Sequence, residues 1–429
     1  MAEGDAVGDS LRFIHAADLH IGAPFRGLRA LSPRWADRLM DAIPQAWDRV
    51  VDAAVRNDVD FVVIAGDIFD TARASYRDYL HFFRGLERLE EAGIASYLCT
   101  GNHDPYATWQ QDFFSLPAHA VMLAADRPSF ALHERDGRPL CVIAGRGYPN
   151  KVWADDEDIA AGITRTAAEQ ALGPRATEAP FGVGVLHTGL DLDPVKAPTS
   201  PYALRAAGFD YWALGHIHRH WEDDPANPRL VFSGCIQGRD IRETGRRGVS
   251  LVTLEKGAPN RVEFIPTASI VWQQVAVDAS DSPTLPALVE KVMRELFAVN
   301  GRSSCEEMVT RITLTGATDL HEVLGRPGVL EDVRTSVNDS YPEFFCDALI
   351  DETTRPRDRE ALLAEGLFPA VFLRAAETLR ADSDEERAYL QEEFLRRGIA
   401  LPSAPSGQLD KLAAEAQELV LDLLTQEEK

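Results

Sequence analysis

The segment DFVVIAGDIFD, residues 60–70, decides how this chain folds. After Asp60 come five apolar residues, three of them β-branched, and this composition is typical of a strand that is buried on both faces. Asp67 lies just past the end of the predicted strand, which covers residues 60–65. A buried strand that runs directly into a glycine and a carboxylate predicts an α/β fold with polar chemistry at the carboxyl end of the strand.

Four other apolar segments lead into polar clusters in the same way. They are 11–14 before Asp18 and His20, 95–98 before GNHD at 101–104, 182–186 before His187, and 211–214 before GHIH at 215–218. Between the first two strands, apolar residues recur at helical spacing from Ile43 to Ala54, and Pro44 is expected in the first turn of that helix. Ligands bind at the carboxyl ends of strands in open α/β sheets, so we expect the five clusters at one edge of the sheet.

Composition excludes several classes of protein. The chain has 429 residues and a formal net charge of −24, which excludes a generally basic nucleic-acid binder, and its 45% hydrophobic content excludes wholesale disorder. Its five cysteines form no CxxC pair, which argues against a disulfide framework or a zinc ribbon and favours a reducing compartment. Without a leader-like N-terminus or a long apolar run, the chain is predicted to be cytoplasmic, with no membrane association.

The residue types in the clusters predict a metal centre. Carboxylate, imidazole and carboxamide groups without thiolate suit Mn²⁺, Fe²⁺ or Zn²⁺. The candidate ligands are Asp18, His20, Asp67, Asn102, His187, His216 and His218. Seven ligands are too many for one ion, so we expect two divalent ions, with the central Asp67 as a bridge. Two ions about 4 Å apart can supply a nucleophile and clamp a phosphoryl centre, which predicts phosphoester hydrolysis.

His103 is interpreted as a catalytic residue and not as a ligand. It could stabilise developing charge or protonate the leaving oxygen. Asp104 follows it directly, and a carboxylate beside an imidazole fixes its orientation and raises its pKa. The expected catalytic residues are therefore His103 and Asp104.

Taken together, the motifs D-x-H, GD-x-x-D, GNHD, H and GH-x-H resemble the signature of the calcineurin-like metallophosphoesterase superfamily, in full and in order, over residues 11–270. Within it the chain resembles the SbcD-type DNA repair exonucleases. The supporting segments are HAADLHIGAPF at 15–25, VIAGDIFD at 63–70 and AGFDYWALGHIHRH at 207–220. The segment FSGCIQGRDIRETGRRGVSLV at 232–252 lacks the Pro-Gly-Ser turn usual in SbcD and points to the YhaO branch.

The resemblance implies a fold, a ligand arrangement and partners. The fold would be α/β, a two-sheet metallophosphoesterase sandwich flanked by helices, with a smaller α+β domain and a helical C-terminal tail. One metal would be held by Asp18, His20, Asp67 and His218, the other by Asp67, Asn102, His187 and His216, with Asp104 behind His103. Relatives of the SbcD type are Mn²⁺-dependent nucleases that act on DNA ends, hairpins and single strands. They form homodimers and work with an SMC-like coiled-coil ATPase of the SbcC or YhaN type.

The predicted organisation has four parts: a disordered N-terminus at 1–10, a nuclease domain at 11–270, a small accessory (capping) domain at 271–350, and a helical region at 351–429. The accessory domain is expected to contain a helix at 286–297, a strand at 309–314 and a helix at 329–336. In the last part, a Pro- and Ser-rich linker at 401–407 precedes a leucine seam at 409–423. That seam predicts a helix that either packs on its own domain or docks the ATPase.

Support for DNA as the substrate must come from local positive charge. Candidate phosphate contacts are Arg239, Arg242, Arg246 and Arg247. The alternative interpretation is a solvated loop whose arginines pair with Asp240 and Glu243. Three functions stay open: a two-metal DNA exonuclease or endonuclease, a hydrolase of small phosphoesters such as cyclic nucleotides or phosphomonoesters, and a non-catalytic scaffold. The complete ligand set argues against the scaffold.

Overall fold

The computed structural model describes residues 10–23, 32–70, 73–109, 115–302, 305, 307–357, 359–365 and 368–381, with 392–393, 396–397, 416–417 and 420–421. Within them the chain forms two compact units. The first takes its residues from 1–275, 296–311 and 338–348, and the second from 276–295, 312–337 and 349–429. The linker at 401–407 and most of the leucine seam lie outside the described residues, and the four predicted domain boundaries stay a prediction.

Fifteen strands are present in the described part of the chain. They are β1 (Ser10–Ala16), β2 (Phe61–Ala65), β3 (Ala95–Cys99), β4 (Ala120–Met122), β5 (Ser129–Arg135), β6 (Arg138–Arg146), β7 (Phe181–His187), β8 (Tyr211–Gly215), β9 (Trp221–Glu222), β10 (Leu230–Phe232), β11 (Gly248–Glu255), β12 (Arg261–Pro266), β13 (Ile270–Asp278), β14 (Glu307–Thr315) and β15 (Phe344–Asp351). The five strands predicted before the polar clusters and the strand predicted at 309–314 are all confirmed.

Ten α-helices accompany these strands in the same described ranges. They are α1 (Pro33–Arg56), α2 (Tyr76–Glu91), α3 (Arg165–Leu172), α4 (Pro174–Glu178), α5 (Pro201–Ala206), α6 (Leu285–Asn300), α7 (His321–Leu324), α8 (Val329–Ser340), α9 (Arg359–Glu365) and α10 (Phe368–Ala381). The helices predicted at 286–297 and 329–336 are confirmed as α6 and α8. None of the described helices combines the length and the apolar character needed to cross a bilayer.

The expectation for Pro44 was wrong. α1 begins at Pro33, after an N-cap at Ser32 whose side chain accepts a hydrogen bond from Trp35 N, so Pro44 lies inside the helix. A proline there removes one backbone hydrogen bond. The helix continues because its buried apolar face runs from Trp35 to Ala54, and tertiary burial supplies most of a helix's stability.

Two mixed six-stranded sheets form the body of the first unit. The first sheet has the order β12-β11-β1-β2-β3-β4, and β1 to β4 are parallel. The second has the order β5-β6-β7-β8-β10-β9, with β6, β7, β8 and β10 parallel. A third sheet has three strands in the order β13-β14-β15. The predicted two-sheet α/β architecture with a smaller third sheet is confirmed.

Alternation along the strands explains the layers. Phe61, Val63 and Ala65 of β2 pack between the two sheets, whereas Val62 and Ile64 pack against α1 and α2 on the outer face. A strand buried on both faces needs apolar residues at every position, as residues 61–65 have. The core of the second sheet on its other face packs against α3, α4 and α5.

The histidine of β1 lies in the core between the sheets. His15 on β1 is fully buried, with Nδ1 2.9 Å from the Tyr211 hydroxyl and Nε2 3.2 Å from the Leu214 carbonyl oxygen. Burial lowers the pKa of His15 to about 3, so the ring is neutral. It joins β1 to β8 and thereby fixes the position of two strand ends that carry predicted ligands.

Candidate metal centre

Two loops of the first sheet run side by side after their strands end. Asp18 N donates to Gly66 O at 3.1 Å, and His20 N donates to Asp67 O at 3.0 Å. These hydrogen bonds extend the pairing of β1 and β2 beyond the strands themselves. The predicted ligands Asp18, His20 and Asp67 are therefore held next to one another by backbone contacts.

The backbone at these positions is strained. Asp18, His20 and Asp67 have φ angles of +51°, +47° and +51°, a backbone region that residues other than glycine rarely adopt. Such a conformation costs on the order of 1–3 kcal/mol at each position and is typical of functional sites. Gly66 has φ of +83°, and a Cβ there would lie 2.6 Å from His187 Nδ1, so only glycine fits.

The loop after β3 is tied to the Asp67 loop. Asp104 accepts hydrogen bonds from Gly101 N at 2.7 Å and from Ile68 N at 3.0 Å, so both of its oxygens bond backbone amides. His103 N in turn donates to Asp67 Oδ1 at 2.8 Å. The expectation that Asp104 orients the His103 ring stays a prediction, and these contacts show that Asp104 also joins two loops.

The remaining predicted ligands come from the second sheet. His187 ends β7, and Thr188 N donates to Gly215 O at 3.1 Å beside the GHIH loop. His216 N donates to both oxygens of Asp18, at 3.1 and 3.0 Å. The expectation of a single sheet edge was therefore wrong: two sheet edges meet, because the polar clusters divide between the two sheets.

Side-chain donors converge where the two edges meet. His20 Nε2 lies 3.1 Å from His218 Nε2, and His218 Nε2 lies 3.8 Å from Asp18 Oδ1. Asp67 Oδ2 lies 3.7 Å from His20 Nε2 and 3.5 Å from His187 Nε2. Among the described residues, two groups at this meeting point have metal-binding spacing: Asp18, His20 and His218; and Asp18, Asp67 and His187. A third group with such spacing, His218, Cys235 and Glu243, shares His218 with the first.

Asn102 and His216 lie at the side of the second group. Asn102 Oδ1 is 3.2 Å from His187 Nε2. The His216 ring packs edge-on against His187 with centroids 5.4 Å apart, and its Nε2 is 3.0 Å from Asp193 Oδ2. The structure thus brings together five of the seven predicted ligands directly and places Asn102 and His216 against His187.

Buried charge supports a cation at this position. Asp18, Asp67 and Asp104 are at most 1% exposed, and in the described part of the chain the ion-pair partners of Asp18 and Asp67 are imidazoles alone. Burial by itself would lower the pKa of His187, but Asp67 raises it to about 9. Burial, with the Asp67 charge added, raises the pKa of Asp104 to about 8. Buried imidazole and carboxylate donors of this kind fit divalent metal ions.

In His187 and His218, a hydrogen bond at Nδ1 leaves Nε2 as the nitrogen that can bind a metal. His187 Nδ1 lies 2.9 Å from Ala65 O and must donate to it, so Nε2, which faces Asp67, is the nitrogen that can bind a metal once its proton is displaced. His218 Nδ1 lies 2.6 Å from Glu243 Oε1 in the same way. Asp193 and Glu243 were not recognised as site residues from the sequence, because their loops are 23 and 25 positions away from the histidines that they contact.

Two further side chains complete the surroundings. His103 is exposed, and its ring packs edge-on against His20 with centroids 4.9 Å apart. Tyr148 is 1% exposed and packs edge-on against His187 at 5.7 Å. Among the described residues its hydroxyl has no hydrogen-bond partner. No sequence motif indicated Tyr148, which precedes an ordinary Pro-Asn pair.

The four arginines have different environments. Arg247 is 7% exposed and donates to the carbonyls of His218 and Thr244. Arg239 pairs with Glu243 at 3.0 Å, and Arg242 pairs with Asp240 at 2.7 Å, as the alternative interpretation expected. Arg246 is exposed, with its guanidinium 5.3 Å from the Phe264 ring centroid. Arg242 and Arg246 are thus the two that face solvent.

Comparison with known proteins agrees with this geometry. The calcineurin-like phosphoesterase family matches residues 11–220. The chain is also 30% identical over 337 residues to the uncharacterized metallophosphoesterase YhaO of Bacillus subtilis, covering 78% of each chain. This chain belongs to the calcineurin-like metallophosphoesterase family. As in that family, its Asp and His residues form a candidate site for divalent metal.

Other relatives of this metallophosphoesterase are more distant. Residues 272–354 match the middle domain of metallophosphoesterase YhaO. The DNA double-strand break repair protein Mre11 of Methanopyrus kandleri is 23% identical, over 94% of this chain and 86% of its own. The SbcD subunit of the SbcCD nuclease of Escherichia coli K12 is 26% identical, over 66% of this chain and 74% of its own. These identities place the metallophosphoesterase among relatives that include nucleases.

Proposed function

We propose that this chain is a two-metal phosphodiesterase that hydrolyses DNA. One metal is assigned to Asp18, His20, Asp67 and His218, and the other to Asp67, Asn102, His187 and His216. The observation that carries the proposal is the position of Asp67 Oδ2, which lies between His20 Nε2 at 3.7 Å and His187 Nε2 at 3.5 Å. A carboxylate oxygen between two imidazoles has the position that a bridging ligand needs.

The chain's own residues have separate tasks in the reaction. Two bound divalent ions would supply an activated water and clamp the phosphoryl oxygens. His103 is exposed beside His20 and can give a proton to the leaving oxygen, while its backbone amide is fixed on Asp67. Asp104 holds the loop that carries Asn102 and His103 against the Asp67 loop. Chemistry and positioning are therefore divided between neighbouring residues of one motif.

DNA is the proposed substrate on two grounds. The distant relatives include a nuclease subunit and DNA double-strand break repair proteins. Arg242 and Arg246 are exposed on the segment whose Glu243 contacts His218, where they can contact phosphates. Because the net charge is −24, the chain alone should bind DNA weakly, and added salt should weaken that binding further.

A nuclease assay with variants tests the proposal. End-labelled linear duplex, hairpin and single-stranded DNA are incubated with Mn²⁺, Fe²⁺, Zn²⁺ or Mg²⁺. We expect Mn²⁺-stimulated cleavage by the wild type and its loss in His103→Ala, with the metal content per chain unchanged by elemental analysis. His119→Ala is the matched control, because His119 is also exposed but lies just before the start of β4.

Three results would contradict the proposal. Cleavage retained in His103→Ala would show that His103 is not needed for the reaction. Efficient turnover of cyclic nucleotides or phosphomonoesters without cleavage of any DNA would favour the small-phosphoester hydrolase. A metal content near zero in the wild type would favour the scaffold.

We also propose that the chain is a cytoplasmic homodimer that works with an SMC-like coiled-coil ATPase. The support is similarity to the SbcD subunit of the SbcCD nuclease. The experiment is co-expression with a coiled-coil ATPase encoded by a neighbouring gene, followed by light scattering of the purified complex. A 2:2 complex that cleaves DNA with ATP dependence is expected, and a monomer that shows no association at micromolar concentration would contradict the proposal.

A further inference from the structure

The segment 234–247 encloses His218 from the side opposite the metal centre. The His218 carbonyl accepts hydrogen bonds from Cys235 N at 3.1 Å and from Arg247 Nη1. Arg247 is 7% exposed and also donates to Thr244 O at 2.8 Å. The backbone of His218 is thus fixed by two donors from one segment.

The ring of His218 is held by the same segment. Its Nδ1 is 2.6 Å from Glu243 Oε1. Glu243 in turn accepts a hydrogen bond from Arg239 Nη2 at 3.0 Å on Oε1 and from Arg239 N at 2.7 Å on Oε2. The Glu243 side chain is 14% exposed, and contacts on both oxygens prevent the carboxylate from rotating.

These contacts define which nitrogen of His218 carries the proton. Two groups lie near Nδ1: Glu243 Oε1 at 2.6 Å and Arg239 Nη2 at 3.2 Å. The carboxylate is the nearer partner and can only accept, and Arg239 Nη2 donates to the same carboxylate at 3.0 Å, so the proton is assigned to Nδ1. Nε2 then carries the lone pair, and it faces His20 Nε2 at 3.1 Å and Asp18 Oδ1 at 3.8 Å. The partner of a histidine's second nitrogen fixes the orientation of the ring and raises its basicity as a ligand.

We propose that Glu243, held in place by Arg239, is the positioning residue of His218: it selects the Nδ1–H tautomer and directs Nε2 into the metal centre. This inference rests on the metal site of the proposed function. It assigns a structural task at the metal centre to Arg239 and Glu243. From the sequence, Arg239 was considered as a phosphate contact and Glu243 as an ion-pair partner of the loop arginines. Asp240, three residues before Glu243, bonds Arg242 and serves as a contrast.

Two substitutions of Glu243 separate orientation from charge. Glu243→Ala removes the acceptor, and Glu243→Gln keeps an oxygen that can accept the Nδ1 proton but removes the charge. Asp240→Asn is the matched control. Mn²⁺ affinity is measured by titration calorimetry, and the His218 tautomer by ¹⁵N–¹H spectra of the metal-free protein, assigned with His218→Asn.

We expect Mn²⁺ affinity to fall about 10–100-fold in Glu243→Ala, because that is the usual effect of removing such a partner, with a smaller fall in Glu243→Gln. The Nδ1–H signal should persist in wild type, Asp240→Asn and Glu243→Gln and be lost or averaged in Glu243→Ala. Should Glu243→Ala fail to fold, Glu243→Met, which keeps the length of the side chain but offers no oxygen to Nδ1, decides: Mn²⁺ affinity equal to that of Asp240→Asn would overturn the proposal.

Neither measurement uses DNA, so the inference and the proposed function can fail separately. If DNA is not cleaved but the affinities fall as described, only the proposed function is overturned. If wild-type His218 carries its proton on Nε2, the inference is overturned whatever the protein hydrolyses.

Discussion

The two sides of the candidate metal centre hold the predicted ligands by different means. On the first sheet, Asp18, His20 and Asp67 are held by the backbone, with positive φ angles and hydrogen bonds between neighbouring loops. On the second sheet, His187 and His218 are held through their rings, by the Ala65 carbonyl and by Glu243. Backbone-held ligands depend on the glycine and carboxylate pattern of their own loops, whereas ring-held ligands depend on residues from elsewhere in the chain.

This difference predicts where substitutions act. On the first-sheet side, a change that disturbs the backbone of a loop should alter the fold and the metal content together. On the second-sheet side, removing a ring partner should change metal affinity while the fold remains. The following predictions test that division, from the largest expected effect to the smallest.

The largest effect is expected for Asp67→Asn. The carboxamide oxygen can still accept the hydrogen bond from His103 N, so the fold should persist, but the bridging charge is lost. Metal ions contribute several kcal/mol to such reactions, so turnover should fall by about three orders of magnitude. Turnover and metal content per chain are measured together. An active variant that binds two metals would show that Asp67 is not the bridging ligand.

Gly66→Ala should destabilise the fold. Its φ is +83°, and an added Cβ would lie 2.6 Å from His187 Nδ1, so the substitution combines backbone strain with a steric clash. The free energy of unfolding, measured with urea, should fall by about 2–5 kcal/mol. Gly93→Ala is the control, because Gly93 also has positive φ but open space around a Cβ, and about 1–2 kcal/mol is expected. Equal losses at the two positions would show that the close approach is unimportant.

Arg247→Ala should cost about 2–3 kcal/mol in unfolding free energy, because a buried side chain is removed and the carbonyls of His218 and Thr244 each lose a hydrogen bond. Arg242→Ala removes an exposed side chain and should leave the melting temperature unchanged while weakening DNA binding. Thermal melting and DNA titration at several salt concentrations separate the two. A stable Arg247→Ala variant with reduced DNA affinity would show that Arg247 contacts phosphate, as the sequence suggested.

The smallest effect is expected for Asp193→Asn. Asp193 is 36% exposed, more than twice the 14% of Glu243, and it contacts His216 at 3.0 Å. Solvent weakens such a contact, so Mn²⁺ affinity should fall less than tenfold, below the usual range for a buried partner. Calorimetric titration beside Glu243→Gln measures it, and a larger loss than for Glu243→Gln would reverse the order of the two histidine partners.

Most of the fold could be predicted from residue patterns. The strands before the five polar clusters follow from short apolar segments, and the ends of β2, β3 and β8 follow from Gly-Asp, Gly-Asn and Gly-His pairs. The start of α1 could not be predicted from Pro44, because helix length there depends on burial against the first sheet. Local sequence patterns also could not predict that the clusters divide between two sheets, since strand order is decided by pairing over long sequence distances.

The sequence by itself determined the residue types of the metal centre and the family to which they belong, because these depend on short motifs whose spacing is local. Only the tertiary structure decided which nitrogen of each histidine faces the centre, that Asp104 joins two loops, and that Arg247 is buried. Those properties depend on partners brought together by folding, such as Glu243 beside His218 and Ala65 beside His187. No pattern in the vicinity of either histidine carries that information.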